Sequence, residues 1–279
     1  MINQKFDLGI FKYWVASMLL LSMIACGSSP VRLPTAIEQA NKTDQAAHRA
    51  IHDGDLLRAR EMFKQSMLMQ RSLENIPAAA MAAINLSSVD HKLGETPAAL
   101  SLLDSILADD TALVPTELKA VAAYRKGIML ADTGRENEAE LALQLAKKSC
   151  VNPCAMAAGI NNLQARLMMK KGDFSAALTV AKCVLNGTAE KIEQANARRI
   201  AGAAESALGQ HQTAFADYTS ALELDKELAL SMRIAEDLTG ISKALLNLGR
   251  LDEADTFARR AEAVTSSMRM LGENTPNKP

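Results

Sequence analysis

The chain has 279 residues, a formal net charge of −1, and 48% hydrophobic but only 4% aromatic residues. This length allows one large domain or two ordinary ones, and the near-neutral charge provides no basic field that would attract nucleic acid. Alanine, the best helix former, is abundant and β-branched residues are comparatively few, so an all-α fold is expected rather than a sandwich or barrel.

The first predicted element is a secretory signal peptide over residues 1–25. Lys5 and Lys12 supply its positive charge, and residues 15–25 form an apolar run of about 11 residues that is too short to span a bilayer. The run ends in small residues directly before Cys26, and this ending resembles a bacterial lipobox. The resemblance implies cleavage before Cys26 and lipidation of its sulfur, with palmitate among the acyl chains. An ordinary signal peptide or a short uncleaved anchor is the alternative.

The residue after this cysteine indicates where in the cell envelope the mature chain is located. Gly27 in that place resembles lipoproteins that are sorted to the outer membrane rather than kept in the inner one. We therefore expect a lipid anchor at the periplasmic face of a bacterial outer membrane. Residues 26–35 then read as a short tether, residues 36–270 as helical, and residues 271–279 as a disordered tail.

Six glycines recur at intervals of about 37 to 40 residues, which is a solenoid period. They are Gly54, Gly94, Gly134, Gly172, Gly209 and Gly249. Five residues after them stand Ala59, Ala99, Ala139, Ala177, Ala214 and Ala254, and seven before them stand Ala47, Ser87, Gly127, Ala165, Gly202 and Ser242. Each glycine is expected to end one helix before a second helix returns, and the small residues let the two helices approach. Since no pair can bury its apolar face alone, six pairs must stack.

This layout resembles the tetratricopeptide repeat, with Gly209, Ala214, Tyr218 and Ala221 at the family's positions, and the resemblance covers about residues 40–265. It implies a right-handed α-solenoid of about six helix-turn-helix repeats whose first helices line a concave surface. The units are longer than the family's typical length of about 34 residues, and the family's early Trp and Tyr of the first helix are mostly replaced by Ala, Leu, Met or polar residues. These departures predict an unusual curvature. Since no proline separates the last two units, residues 224–238 are expected to continue with little interruption.

The chain carries no recognisable catalytic motif: we find no phosphate loop, GxSxG, HExxH or paired CxxC. We therefore expect no enzyme activity and no cofactor. Asp44, His48 and His52 lie at i, i+4 and i+8 of one predicted helix, and His91 lies at a similar level in the next unit. These residue types ligate zinc, so a metal-binding or enzymatic periplasmic protein is an alternative. A solvated helix face is the other interpretation of the same residues.

Three cysteines remain after Cys26. Cys150 and Cys154 flank the turn between the third and fourth units, where helix ends come within disulfide range, so a structural disulfide is expected in an oxidising periplasm. Cys183 falls within a second helix and is expected to be a small buried side chain.

Six residues are expected on the concave surface that the resemblance implies. They are Tyr124, Asn162, Arg166, Lys170, Asn196 and Arg199. This mildly basic, amide-rich set is suited to an acidic or extended peptide, because arginine pairs with carboxylates and asparagine bonds to backbone. An ordinary solvated face is the alternative.

The sequence thus predicts a membrane-anchored scaffold or adaptor that binds protein or peptide partners in the cell envelope. Tetratricopeptide lipoproteins of this size resemble pilotins, pilus and secretin assembly factors, and outer-membrane protein assembly subunits. A purely structural spacer is a further alternative.

Overall fold

The structure is a computed structural model that describes residues 35–151 and 153–271. Residues 1–34, with the predicted signal peptide and Cys26, lie outside the described residues, as do residues 272–279 of the predicted tail. The described residues form twelve helices and no strand: α1 (Thr35–His52), α2 (Leu56–Ser72), α3 (Ile76–Lys92), α4 (Thr96–Leu107), α5 (Thr116–Asp132), α6 (Glu136–Ser149), α7 (Ala157–Lys170), α8 (Phe174–Leu185), α9 (Lys191–Ala207), α10 (His211–Glu227), α11 (Ser231–Asn247) and α12 (Leu251–Met270). None of these twelve helices combines the length and apolar character that crossing a bilayer requires.

The helices form six pairs, and the turn within each pair contains one of the six repeat glycines. All six glycines have φ between +73° and +87°, a region that glycine enters without steric cost. In the first pair the Gly54 N–H donates to Ile51 O (3.1 Å) and the Asp55 N–H donates to Ala50 O (2.9 Å). These two bonds are the Schellman pattern of a helix C-terminus. The predicted glycine-terminated helix pairs are confirmed.

The pairs stack in two layers. Each helix packs against the next along the chain, and the first helices α3, α5, α7, α9 and α11 also contact one another in succession. The first helices therefore form an inner layer and the second helices an outer layer. Small residues set the spacing: a Cβ at Gly127 would lie only 2.7 Å from Leu163 Cδ2 of the next inner helix. The all-α solenoid of six helix pairs is confirmed.

The chain breaks between the fifth and sixth pairs, so the expected continuation over residues 224–238 is wrong. Helix α10 ends at Glu227 and α11 begins at Ser231. Between them Ala229 has φ +54°, and the Leu230 N–H donates to Asp225 O (2.9 Å). A non-glycine residue thus closes the same turn, at a conformational cost of about 1–2 kcal/mol that the packing of α11 offsets.

The apolar core is not continuous along the solenoid. One cluster runs through the first three pairs and into α7, and a second, which includes Leu222, Leu238 and Ile241, fills the junction of α10, α11 and α12. Between them lies a small cluster made mostly of alanine, with Ile200 as its largest member. Polar contacts link the inner helices in this middle section, for example between Asn162 and Glu193 and between Arg199 and Asp237, and the candidate site lies there.

Candidate partner-binding groove

The inner layer encloses a cavity of about 350 Å³ between α5, α7, α9 and α11, which we call the inner groove. The structure places all six residues predicted from the sequence around it: Tyr124, Asn162, Arg166, Lys170, Asn196 and Arg199. Asn162, Arg166 and Lys170 follow one another at intervals of four residues on α7 and so share one stripe of that helix. Ile128, Leu163 and Ile200 supply apolar wall, and Arg233 of α11 is a lining residue that we did not predict. That these residues bind a partner stays a prediction.

The groove is less basic than expected, because acidic side chains accompany its arginines. Arg166 Nη2 donates to Asp132 Oδ1 at 2.6 Å, and His91 Nε2 lies 3.3 Å from Asp132 Oδ2. Burial opposes the ionisation of Asp132, but His91 and Arg166 outweigh it and hold the pKa of Asp132 below its usual range. This arginine is therefore already neutralised within the fold.

Arg199 forms ion pairs with two buried carboxylates, those of Asp225 and Asp237. Its Nε donates to Asp237 Oδ1 at 2.7 Å and its Nη2 contacts Asp225, and both acids are at most 1% exposed. Burial raises the pKa of Asp237 to about 7, Arg199 opposes that rise, and the hydrogen bond and charge of Asp225 add to it. The three side chains form a polar junction of α9, α10 and α11.

The sequence reasoning missed these acids, although one signal was available. Asp237 falls in the apolar stripe of α11, three residues after Ile234 and four before Ile241. A charged residue in a buried stripe requires a buried partner. The pattern indicates that such a partner exists, but only the stacking of the helices shows that it is Arg199.

Two asparagines are held at the wall of the groove by Glu193. Asn162 is 4% exposed, and its Nδ2 donates to Glu193 O (2.9 Å) and to Glu193 Oε2 (2.7 Å). Asn196 Nδ2 lies 3.4 Å from the same Oε2, and its Oδ1 accepts from Arg199 Nη1 at 3.1 Å. Asn162 Oδ1 has no hydrogen-bond partner in the described part of the chain. An unsatisfied buried acceptor costs about 1–3 kcal/mol, which an N–H donor of a ligand would recover.

Tyr124 of α5 is a further lining residue of the groove. The side chain is buried, and burial together with the negative charge of Glu193 raises its pKa to about 12. A Cβ at Gly159 would lie 2.8 Å from the tyrosine oxygen, so only glycine admits the ring at this place in α7. The Arg125 guanidinium lies 5.9 Å from the ring centroid.

The four residues of the alternative metal site, Asp44, His48, His52 and His91, do not form a cluster in the structure. His48 Nε2 lies 3.5 Å from Asp44 Oδ2, but the His52 side chain, at the end of α1, is 90% exposed. His91 instead pairs with Asp132 of the next inner helix. No group of three metal-binding side chains occurs within residues 35–151 and 153–271. The candidate ligands are therefore not brought together, because the stacking turns His91 toward Asp132 of the following repeat.

The structure pairs Cys150 with Cys154 in a disulfide, with the Cα atoms 5.4 Å apart. Cys183 is exposed rather than buried, because it faces outward on α8 between the buried Ala181 and Val184. The expectation for this residue is therefore wrong.

A larger depression of about 490 Å³ lies between α11 and α12 at the C-terminal end. Its buried hydroxyl, on Ser242, already donates to Ala254 O at 2.8 Å, and several of its other lining residues are charged and exposed. Because it offers no buried acceptor comparable with Asn162 Oδ1, the inner groove is the stronger candidate.

No protein-family model matches the chain, and no curated protein sequence matches it. Solved structures do share its architecture. The apo form of RapI is 13% identical with a TM-score of 0.60, and the match covers 94% of this chain and 92% of RapI. A Rap protein complexed with Competence and Sporulation Factor is 15% identical (TM-score 0.59, 84% of this chain and 67% of that one). The Rap conjugation gene regulator of plasmid pLS20, in complex with the Phr* peptide, is 12% identical (TM-score 0.59, 97% and 88%).

At these identities the similarity concerns the fold alone. Together with the six glycine-terminated pairs, it defines the chain as a tetratricopeptide-like helical-repeat solenoid with a groove on its inner layer.

Proposed function

We propose that the protein is a binding scaffold that holds an extended peptide segment of a protein partner in the inner groove. The observation that carries this proposal is the pair of fixed asparagines, Asn162 and Asn196, on two adjacent inner helices that line one cavity. A side-chain amide both donates and accepts, so it can bond to the backbone of an extended peptide whatever its sequence. The buried Asn162 Oδ1 already lacks a donor.

The charges of the groove favour a peptide that is not strongly acidic. Arg166 and Arg199 are committed to Asp132, Asp225 and Asp237. Lys170 is exposed at the rim and forms no ion pair with any other described residue. An acidic ligand would have to compete with the internal carboxylates for the two arginines, whereas backbone hydrogen bonds require no such exchange.

Two further considerations support a peptide ligand. The cavity volume of about 350 Å³ is within the range of protein ligand sites, roughly 300–1,000 Å³. The Rap regulator of plasmid pLS20, which shares the fold, was solved in complex with a peptide. A binding role, rather than catalysis, is the function that this groove supports best.

Photo-crosslinking in cells tests the proposal. The crosslinking residue p-benzoylphenylalanine replaces Lys170 at the groove rim or, as a control, Lys148 on the outer helix α6, which is also exposed. We expect protein adducts from position 170 that are absent from position 148 and that weaken in an Asn196→Ala background. Equal adducts from both positions, or none from position 170, would instead favour a structural spacer.

We also propose that Cys26 carries lipid and holds the solenoid at the periplasmic face of the outer membrane, where it serves an envelope complex, a pilus or a secretin assembly. The support is the sequence before and after Cys26, together with the Cys150–Cys154 disulfide, which suits an oxidising compartment. Metabolic labelling with an alkyne analogue of palmitate is expected to label the protein and to fail for Cys26→Ser. Label retained by Cys26→Ser would contradict the anchor.

A further inference from the structure

Among the carboxylates that contact lining residues of the groove, Glu193 is left without a cation. Asp132, Asp225 and Asp237 each pair with an arginine that lines the groove. Glu193 forms no ion pair with a lysine, arginine or histidine of the described residues. Its nearest contacts are instead two neutral amides, those of Asn162 and Asn196.

These contacts fix the direction of the carboxylate. Both asparagines bond to Oε2, so Oε1 is the oxygen that stays available. Oε1 faces the place where Gly159 lacks a side chain: a Cβ there would lie 3.2 Å from Oε1 and 2.8 Å from the Tyr124 hydroxyl. Asn162 Oδ1, which belongs to the same amide that holds Glu193, is buried without a partner. Three acceptor oxygens thus share this part of the groove wall.

A cation that lies near Tyr124 does not pair with Glu193. The Arg125 guanidinium is 5.9 Å from the centroid of the Tyr124 ring and forms no ion pair with Glu193. The wall therefore carries a formal negative charge on Glu193 that no lysine, arginine or histidine of the described residues pairs with, and Asn162 Oδ1 beside it has no donor.

We propose that Glu193, Asn162 and Tyr124 form a subsite for a primary ammonium group of the bound peptide, from a lysine side chain or a free amino terminus. This inference rests on the proposed function. An ammonium is a compact head with three N–H donors, which matches three acceptor oxygens, whereas a planar guanidinium prefers the paired oxygens of a carboxylate. Glu193 Oε2 is already occupied by the asparagines, so a two-oxygen fork is not presented.

The test selects ligands from a displayed library of random ten-residue peptides on the immobilised protein and on two variants. Glu193→Gln removes the charge but keeps one side-chain oxygen that can accept from the asparagines. Glu190→Gln is the control, because Glu190 is an exposed acid just before the same helix α9. Synthetic peptides from the selection are then measured with the lysine replaced by norleucine, and with the amino terminus free or acetylated. Far-UV circular dichroism checks that each variant folds.

We expect the wild-type protein and Glu190→Gln to enrich lysine at one fixed position or to require a free amino terminus. Glu193→Gln is expected to lose this preference while still binding peptides, with an affinity for the selected peptide about tenfold lower or less. The norleucine or acetyl peptide should show the same loss on wild type and no further loss on Glu193→Gln. An unchanged preference on Glu193→Gln overturns the subsite and leaves the peptide groove intact. Recovery of no peptide by the wild-type protein overturns the proposed function itself, and the subsite with it.

Discussion

Gly240→Ala is expected to destabilise the protein, although alanine is the better helix former. The Tyr218 ring lies between two glycines of neighbouring inner helices, Gly202 of α9 and Gly240 of α11. A Cβ at Gly240 would lie 2.4 Å from Tyr218 Cε1, and one at Gly202 would lie 3.0 Å from the same ring. Relaxed carbon contacts are about 3.5–4.0 Å long, so the ring would have to move by more than about 1 Å toward a helix that is already close.

The magnitude follows from two opposing effects. Overpacking of a closed site costs about 1–3 kcal/mol, and this site is closed on both faces, so the upper end applies. Replacing glycine within a helix recovers about 1 kcal/mol. The expected net loss in the free energy of unfolding is about 2 kcal/mol, measured by urea denaturation followed by far-UV circular dichroism.

Two comparisons isolate the cause. Gly187→Ala is the control, because its nearest neighbour would be a carbonyl oxygen at 3.5 Å and no clash arises. In a Tyr218→Leu background, Gly240→Ala is expected to stabilise, which gives a coupling energy near the upper end of the range of about 0.5–3 kcal/mol for residues in contact. If Gly240→Ala stabilises the protein while Tyr218 is present, the close-approach account of the inner layer is refuted.

Burial raises the pKa of Asp237 to about 7 from its ordinary value of 3.8. Between about pH 4 and pH 7 the folded state therefore holds a proton that the unfolded state has released. Because of this difference, the contribution of Asp237 to the free energy of unfolding falls as the pH rises through that range. Asp237→Asn, which resembles the protonated acid, is expected to flatten that decline in urea titrations between pH 4 and 8, and equal slopes for both proteins would contradict it. Gly209→Ala, at φ +77°, should lower the free energy of unfolding by about 1 kcal/mol in thermal melts. Ala229→Gly, at φ +54°, should leave the free energy of unfolding unchanged or raise it by a few tenths of a kcal/mol. If Ala229→Gly destabilised the protein as much as Gly209→Ala, backbone strain would not be the cause. Reduction of the Cys150–Cys154 disulfide should lower the free energy of unfolding by only about 2 kcal/mol, because the two cysteines lie four residues apart and close a short loop. The shift in urea midpoint on adding a reductant measures this loss. Complete unfolding on reduction would contradict a merely local role for the disulfide.

The sequence predicted the repeat well because its signals are local. A glycine that ends a helix and an alanine five residues later act through the turn between them, so their register gives the pairs directly. The same reasoning failed at Ala229, where a non-glycine residue takes the left-handed conformation. The left-handed conformation of Ala229 is stabilised by the packing of α11 against α10, and the local sequence does not reveal that packing.

The lining residues of the groove could be predicted from helix register, but their charge state could not. Arg199 pairs with residues 26 and 38 positions away, and these distances close only when the helices are stacked. For the same reason Glu193, which organises both asparagines, was not recognised as part of the wall. The residues that form a basic set in the sequence thus line a groove in which acidic side chains nearly balance their positive charge.

The most direct test of the peptide groove is the affinity of a library-selected peptide for the protein and for Asn162→Ala and Asn196→Ala, measured by isothermal titration calorimetry. Lys148→Ala on the outer layer is the control. We expect the two groove variants to fold, to bind about tenfold or more weakly, and the control to bind as wild type does. Unchanged affinity in both asparagine variants would contradict a peptide held in the inner groove.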